Sequence, residues 1–290
     1  MQTLVLGLIA GVIYALIAVG ITLVYKCSRV LNFAQAEIGT LALYWTWWLS
    51  GDHHLPWAVG ALVSMAFAVA VGLVFERFFI RPIATAPRVT LAVATIGLLA
   101  LMASIEAALF AGSIKQLPNP IDRGGFTVAG VVVGPSQMLA LVVVALVAVA
   151  LGAFLRFTDF GLGVLASADD PVAAQLMGVS RAKVSAFTWG VAGALSAIAA
   201  LLNEPTVGAL APGVFAGLFI GGLTAALVGG LSSLPGAFAG GILVGVIEAE
   251  IKAHLVFASL PDLQYLAMLA MVLLVLLVRP QGVLGRAGTA

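Results

Sequence analysis

Nine apolar runs alternate along the chain with short polar stretches, at about residues 1–25, 38–50, 57–75, 89–110, 137–155, 185–203, 214–230, 236–251 and 263–278. A helix needs roughly 20 apolar residues to cross a bilayer, with ~17 as the lower limit. The pattern predicts an all-α polytopic membrane helix bundle of eight or nine crossings. The second, seventh, eighth and ninth runs are short and read as tilted, broken or re-entrant, the seventh and eighth being rich in glycine. Extending the second run back through Val30 brings Asn32, Gln35 and Glu37 to or inside a membrane boundary. Polar side chains there need protein partners or water.

One stretch breaks the apolar pattern, a charged island over about 158–184 between the fifth and sixth runs. Asp170 before Pro171 is the signature of a helix start, an N-cap acid followed by proline in the first turn. A short helix from Pro171 to Met177 is expected, ended by Gly178 and exposing Ala173, Ala174, Leu176 and Met177. Such a helix, with small and apolar knobs, suits the groove of a partner protein. The plainer reading is an interfacial helix lying on lipid headgroups.

Composition agrees with the pattern. Of 290 residues, 62% are hydrophobic and 9% charged, and the mean hydropathy is +1.18. These values describe one transmembrane domain over 1–290 rather than a soluble fold. A net charge of +1 with no long Lys/Arg cluster argues against nucleic acid as a partner. The single cysteine, Cys27, reads as a packing residue, and the run from Met1 to Tyr25 as an uncleaved first span because it is too long for a signal core.

Charge also orients the chain. With nine crossings and the N-terminus outside, the inner segments hold Lys26, Arg29, Arg77, Arg81, Arg88, Arg156, Arg181, Lys183, Arg279 and Arg286, and the outer ones hold only Lys115, Arg123 and Lys252. Cytoplasmic loops carry the excess of Lys and Arg, so the island and the C-terminus are expected on the cytoplasmic side of a bacterial inner membrane. An eight-crossing version would move the N-terminus inside and leave the island where it is. Trp45, Trp47, Trp48 and Trp57 flank the loop at Asp52, as indoles do at a membrane boundary. Residues 111–135, with Pro118-Asn119-Pro120, read as an outside loop with local structure.

Enzymatic signatures are missing. No lysine follows a glycine, so there is no phosphate-binding loop; no HExxH or GxSxG occurs; and His53-His54 is too short a pair to hold a metal. Ser104 and Ser185 are expected to bond within their own helices. Glu37, Glu106, Glu204, Glu248 and Glu250 are costly in lipid and should face protein, water or an interface, whereas Glu76 with Arg77 reads as an interfacial charge pair. Gly221, Gly222, Gly229, Gly230, Pro235 and Gly236 mark candidate helix breaks. The Gly pairs, including Gly240-Gly241, also suit close helix approach.

The island and four further segments resemble the branched-chain amino acid permease family of ATP-binding-cassette importers. Asp169-Asp170-Pro171, Ala173-Ala174 and Met177-Gly178 are similar to that family's ATPase-coupling loop. Residues 9–37 contain an Asn-Phe-Ala-x-x-Glu element at Asn32, Phe33, Ala34 and Glu37; residues 76–97 resemble an E-R-x-x-x-R-P-L segment; 228–237 resemble a Gly-Gly turn with Pro-Gly-Ala; and 278–286 resemble the C-terminal R-P-x-G-L-x-G-R. The chain departs from the family at Gln35-Ala36, where His-Gly is common, and at Ser232, where Gly is usual.

The resemblance implies a permease subunit of the first type, not an enzyme, that moves branched-chain or other small amino acids inward. Urea, short amides and small carboxylates are the alternative cargoes. Implied partners are a second permease or a second copy, two ATP-binding subunits and an extracytoplasmic binding protein. ATP and Mg would be bound by those partners, with no cofactor in this chain. The coupling contact would be made by Asp169, Asp170, Pro171, Ala173, Ala174, Leu176, Met177 and Gly178. Asn32, Gln35, Glu37 and Glu106 are the candidates for polar groups of the path. The runner-up class, an ion-coupled secondary transporter, would show inverted repeats, and no convincing repeat is visible.

Overall fold

The structure, a computed structural model, describes residues 2–110, 124–128, 131–208, 210–211, 213–254, 263–279 and 281–285. Eleven helices are seen among them: α1 Gln2–Ser28, α2 Gln35–Trp47, α3 Trp57–Val74, α4 Arg88–Phe110, α5 Pro135–Phe157, α6 Asp159–Asp169, α7 Pro171–Leu176, α8 Arg181–Val207, α9 Ala216–Gly229, α10 Leu234–His254 and α11 Leu263–Val278. A two-stranded antiparallel hairpin, β1 Phe126–Val128 and β2 Val131–Val133, precedes α5. The expected local structure within 111–135 is thus partly this hairpin, while Pro118-Asn119-Pro120 lies outside the described residues. Among the described residues six helical segments are long and apolar enough to cross a membrane, and α9 and Tyr265–Val278 of α11 are shorter apolar helices. This is a multi-pass membrane protein built as a helical bundle.

The core is organised around α1, whose most apolar stretch is 67% buried inside the protein. Helices packed in lipid gain little from hydrophobicity and depend on close van der Waals fit, which small residues permit. Gly7 and Gly11 on α1 meet Gly241, Ile242, Gly245 and Val246 on α10 backbone to backbone, so that a Cβ on Gly245 would overlap Gly11 and one on Gly241 would overlap Ala15. Similarly, α3 lies against α8 through Gly72 on Trp189 and Gly193 on Ala68. The outer helices turn side chains such as Val142, Leu146 and Val149 of α5 outward.

Four expectations need correction. The island carries two helices rather than one, because Thr158 caps a preceding helix by accepting the Gly161 N–H at 3.0 Å, and α6 follows from Asp159. Gly221 and Gly222 do not break a helix; they lie inside α9 and press against Tyr14 and Ile17 of α1. Pro235 and Gly236 fall in the first turn of α10, where Gly236 N–H donates to Ser233 Oγ at 3.0 Å. Finally, Glu76 pairs not with Arg77 but with Arg81, at 3.1 Å to Nε and 2.6 Å to Nη2. The α3 helix runs on through a π-turn at Phe75–Ile80, which brings residues five apart onto one side.

The break at Gly229-Gly230 is real. Gly230 has φ +102°, a conformation that side chains resist, and the chain turns there from α9 into α10. The C-terminal segment returns to this turn, with Val283 N–H donating to Val228 O at 2.8 Å and Leu284 N–H to Gly229 O at 3.2 Å.

Candidate functional site

Two features stand out, a short helix at one end of the bundle and a helix that starts deep within it. The short helix is α7. Six residues are too few to hold a helix by themselves, and its ends are fixed by local chemistry. Asp170 Oδ1 accepts the N–H groups of Val172 and Ala173 at 2.9 and 3.0 Å. At the other end Gly178 takes φ +89° and Val179 N–H donates to Ala174 O at 3.0 Å. Such a cap contributes about 0.5–2 kcal/mol.

Of the side chains expected on display, Leu176 is 84% and Met177 86% exposed, and Ala173 is exposed as well. Ala174 is instead buried, since it is the residue that seats α7 on the bundle. Val172, at 67% exposed, takes its place on the apolar face. Asp169 is exposed and sits 3.7 Å from Lys26 Nζ. Two more contacts fasten the end of α1 beside it, from Cys27 Sγ to Val164 O at 3.9 Å and between Ser28 Oγ and Ser185 Oγ at 3.3 Å. Cys27 is therefore a buried packing residue, and Ser185 bonds across helices rather than within its own. Ser104 does bond within its helix, to Ala100 O at 2.7 Å.

The second feature follows directly from that end of α1. Arg29 turns the chain with φ +56°, and residues 30–34 return without helix toward the middle of the bundle. Gln35 Nε2 donates to Ile17 O at 3.0 Å, and Thr95 Oγ1 of α4 donates to Leu31 O at 2.9 Å. Ile17 lies eleven residues before the end of α1, so α2 begins about 16 Å inside the bundle. Ala34, at its N-cap, offers no side-chain acceptor. A helix N-terminus so placed presents N–H groups and a positive dipole end within the membrane.

Four polar residues were expected here, and the structure separates them. Gln35 turns to α1, where it fills the space left by Gly20. Asn32 is buried in the break with both side-chain polar atoms unpartnered. Glu37 and Glu106 are brought together between α2 and α4, close enough to act on each other electrostatically, and both act on the hydroxyl of Tyr44. Tyr44 itself stacks on Phe110 of α4 with ring centres 4.1 Å apart.

The family model described as "Branched-chain amino acid transport system / permease component" matches residues 3–276. The chain belongs to that family. Among curated proteins, this permease is 32% identical to the high-affinity branched-chain amino acid transport system permease protein BraD of Pseudomonas aeruginosa, over 99% of this chain and 96% of the relative. It is 30% identical to the LivH permease protein of Escherichia coli over the same shares, and 27% identical to the autoinducer 2 import system permease protein LsrC of Yersinia pseudotuberculosis over 90% and 72%. The solved structure of PsaBC from Streptococcus pneumoniae in complex with Fab aligns over 97% of this chain and 91% of that one, at TM-score 0.49 and 15% identity. The chain is a transport subunit and not an enzyme.

Two members of the buried polar group escaped the sequence reading of this permease. Thr40 and Tyr44 follow Glu37 at i+3 and i+7 and so share its helix face. That spacing was legible, but an apolar run draws the eye to its charges. A further polar group joins α1 to α10, where Tyr14 Oη donates to Glu248 Oε2 at 2.6 Å and Lys252 Nζ donates to Glu248 Oε1 at 2.6 Å. It meets the expectation that Glu248 faces protein.

Proposed function

We propose that this chain is the membrane-spanning subunit of an ATP-driven importer that carries branched-chain or other small amino acids into the cytoplasm. In this reading it sits in the bacterial inner membrane with its C-terminus cytoplasmic. It pairs with a second permease or a second copy of itself, receives cargo from an extracytoplasmic binding protein, and is driven by two ATP-binding subunits that hold the ATP and Mg. The observation that carries the reading is α7, a capped helix seated by Ala174 at one end of the bundle with Val172, Leu176 and Met177 facing outward. Exposed aliphatic side chains on a rigid short helix are the feature a partner's groove takes up.

The family description supports this over a self-contained ion-coupled carrier, since it names a component of a transport system. Its relatives' names favour amino acids over urea, amides or small carboxylates. The α2 break supports a path, because an amino acid's carboxylate is suited to a bare helix N-terminus beside Asn32. Asp169 is the acid of the island best placed for an outside contact, since the carboxylate of Asp170 is occupied by its own helix.

Co-expression with candidate ATP-binding subunits, followed by purification through a tag on this chain, tests the proposal. The ATP-binding subunits should co-purify with the wild type and be lost from a Leu176→Asp, Met177→Asp double variant that still inserts. Vesicles holding the complex should take up labelled leucine only with ATP inside. Uptake without hydrolysis, or full co-purification of the double variant, would overturn it.

A further inference from the structure

A cavity of about 630 Å³ lies between α5 and the helices packed on its inner side. Leu16 of α1, Leu195 of α8 and Val147 of α5 wall one end, and Leu165 of α6, Leu234 of α10 and Arg156 of α5 wall the other. The second end is the one that carries α7. There Cys27 bonds to Val164 of α6, Ser28 meets Ser185 at the start of α8, and Leu234 packs on the same small cluster as Leu155 and Val164. Leu16 lies about 18 Å back from the end of α1, and Leu195 about 21 Å beyond the start of α8. Along α5 the cavity runs from Val147 to Phe157, about 15 Å. That is half of a ~30 Å hydrocarbon core, the depth of one leaflet.

The chemistry of the lining is divided in the same way. Every residue that lines the cavity is apolar except Arg156, in the last turn of α5 at the membrane boundary. Among the described residues Arg156 makes no hydrogen bond or ion pair, and Asp159, three residues on, does not pair with it. On the outer side Val149 is 70% and Phe157 84% exposed, so the cavity is a groove open toward the bilayer. Gly152 forms part of its wall, and a Cβ there would meet nothing within 4 Å. A guanidinium matches a phosphate with forked N–H donors, and basic sites between membrane helices hold anionic lipid headgroups. A partner's spanning helix would need a groove twice as long; an acyl chain needs only one leaflet.

We infer that this groove holds one anionic phospholipid, with its phosphate on Arg156 and an acyl chain lying past Gly152 toward Leu16 and Leu195. The chain then fills the space between α5 and the core helices α1 and α8. Because α5 leads directly into α6 and α7, the lipid braces the base of the short exposed helix. The site is independent of which cargo the permease carries.

The test is binding of radiolabelled phosphatidylglycerol to the full chain, purified in detergent with its co-expressed subunits and stripped of lipid. The wild type should retain phosphatidylglycerol against an excess of phosphatidylcholine. Arg156→Gln should weaken that binding by about fivefold, the loss expected for one basic residue at a lipid surface, and Arg156→Lys should keep most of it. Gly152→Trp fills the groove where there is space for a side chain, and should abolish retention while thermal unfolding without added lipid stays at the wild-type value. Added phosphatidylglycerol should raise the unfolding temperature of the wild type and not that of Gly152→Trp. Arg156 is exposed, so its variants carry the test even where Gly152→Trp lowers the yield. Equal retention of phosphatidylcholine, or unchanged phosphatidylglycerol binding in Arg156→Gln or in a folded Gly152→Trp, overturns the inference. So does loss of a co-purifying permease subunit from Gly152→Trp with lipid binding intact, which would make the groove a subunit interface.

Discussion

Lys26 Nζ, in the last turn of α1, lies 3.7 Å from Oδ1 of Asp169, the last residue of α6 and the neighbour of the acid that caps α7. The Asp169 side chain is 79% exposed, and an exposed pair contributes only about 0–1 kcal/mol. Its importance is positional. Three residues beyond Lys26 the chain turns at Arg29 and enters the break that leads to Asn32, Gln35 and Glu37, so a displacement of α7 has a short covalent route to the start of α2.

Replacing Asp169 and Asp170 together by Lys should therefore uncouple ATP hydrolysis from uptake while membrane insertion persists. The two acids act differently. Asp170→Asn, which keeps a capping oxygen, should hold coupling near wild type, whereas Asp170→Ala should destabilise α7 by about 0.5–2 kcal/mol and reduce it. The ratio of ATP hydrolysed to leucine transported measures both effects, and equal ratios for Asn and Ala would show that the cap is not what matters.

Arg81 holds the buried carboxylate of Glu76 with two hydrogen bonds and also donates to Ala182 O at 3.1 Å, joining the end of α3 to the start of α8. Arg81→Ala strands that carboxylate and should cost about 3 kcal/mol, the low end for breaking a buried pair because Arg81 is partly wetted. Arg81→Lys should rescue only part of this, since an ammonium cannot make the forked contact. Thermal unfolding in detergent should rank wild type above Lys above Ala.

At the α1–α10 crossing a side chain on Gly245 has no space, whereas Gly97 on α4 has nothing within 4 Å of a Cβ. Gly245→Leu should cost about 1–3 kcal/mol or more through overpacking and lower the yield of folded protein. Gly97→Leu should be nearly neutral. Size-exclusion profiles of the two variants make the comparison, and similar losses in both would mean that the crossing is looser than its backbone contacts indicate.

Gly230 combines φ +102° with contact to the returning C-terminal segment at Gln281 and Gly285. Gly230→Ala should cost about 1–3 kcal/mol for the strained backbone and should loosen that segment. Hydrogen exchange at the Val283 and Leu284 amides reports it, and unchanged protection would mean that the turn tolerates a side chain.

Much of this molecule could be read from residue order because membrane helices announce themselves by long apolar runs, and because a cap such as Asp170-Pro171 is a local event. All nine runs contain helix. What escaped depends on tertiary contact or on a departure from α-helical spacing. The Glu76–Arg81 pair is five residues apart because a π-turn widens the helix there, so the usual i+3 and i+4 positions hold only Phe79 and Ile80 and the adjacent Arg77 is chosen instead. No helix is expected over α6, because its glycines and charged ends mask a cap at Thr158. The Glu37–Glu106 pair is set by how α2 lies on α4, which no periodicity within either helix records. Gly221 and Gly222 look the same in sequence as Gly229 and Gly230, and only their neighbours distinguish a packing notch from a turn.

The backbone contact of Gly11 with Gly245 has a consequence for biosynthesis. α1 leaves the ribosome well before α10, its most intimate neighbour, has been made. Until then α1 must wait in the bilayer with its glycine notch against lipid tails, and the bundle closes late, when α10 arrives to fill that notch.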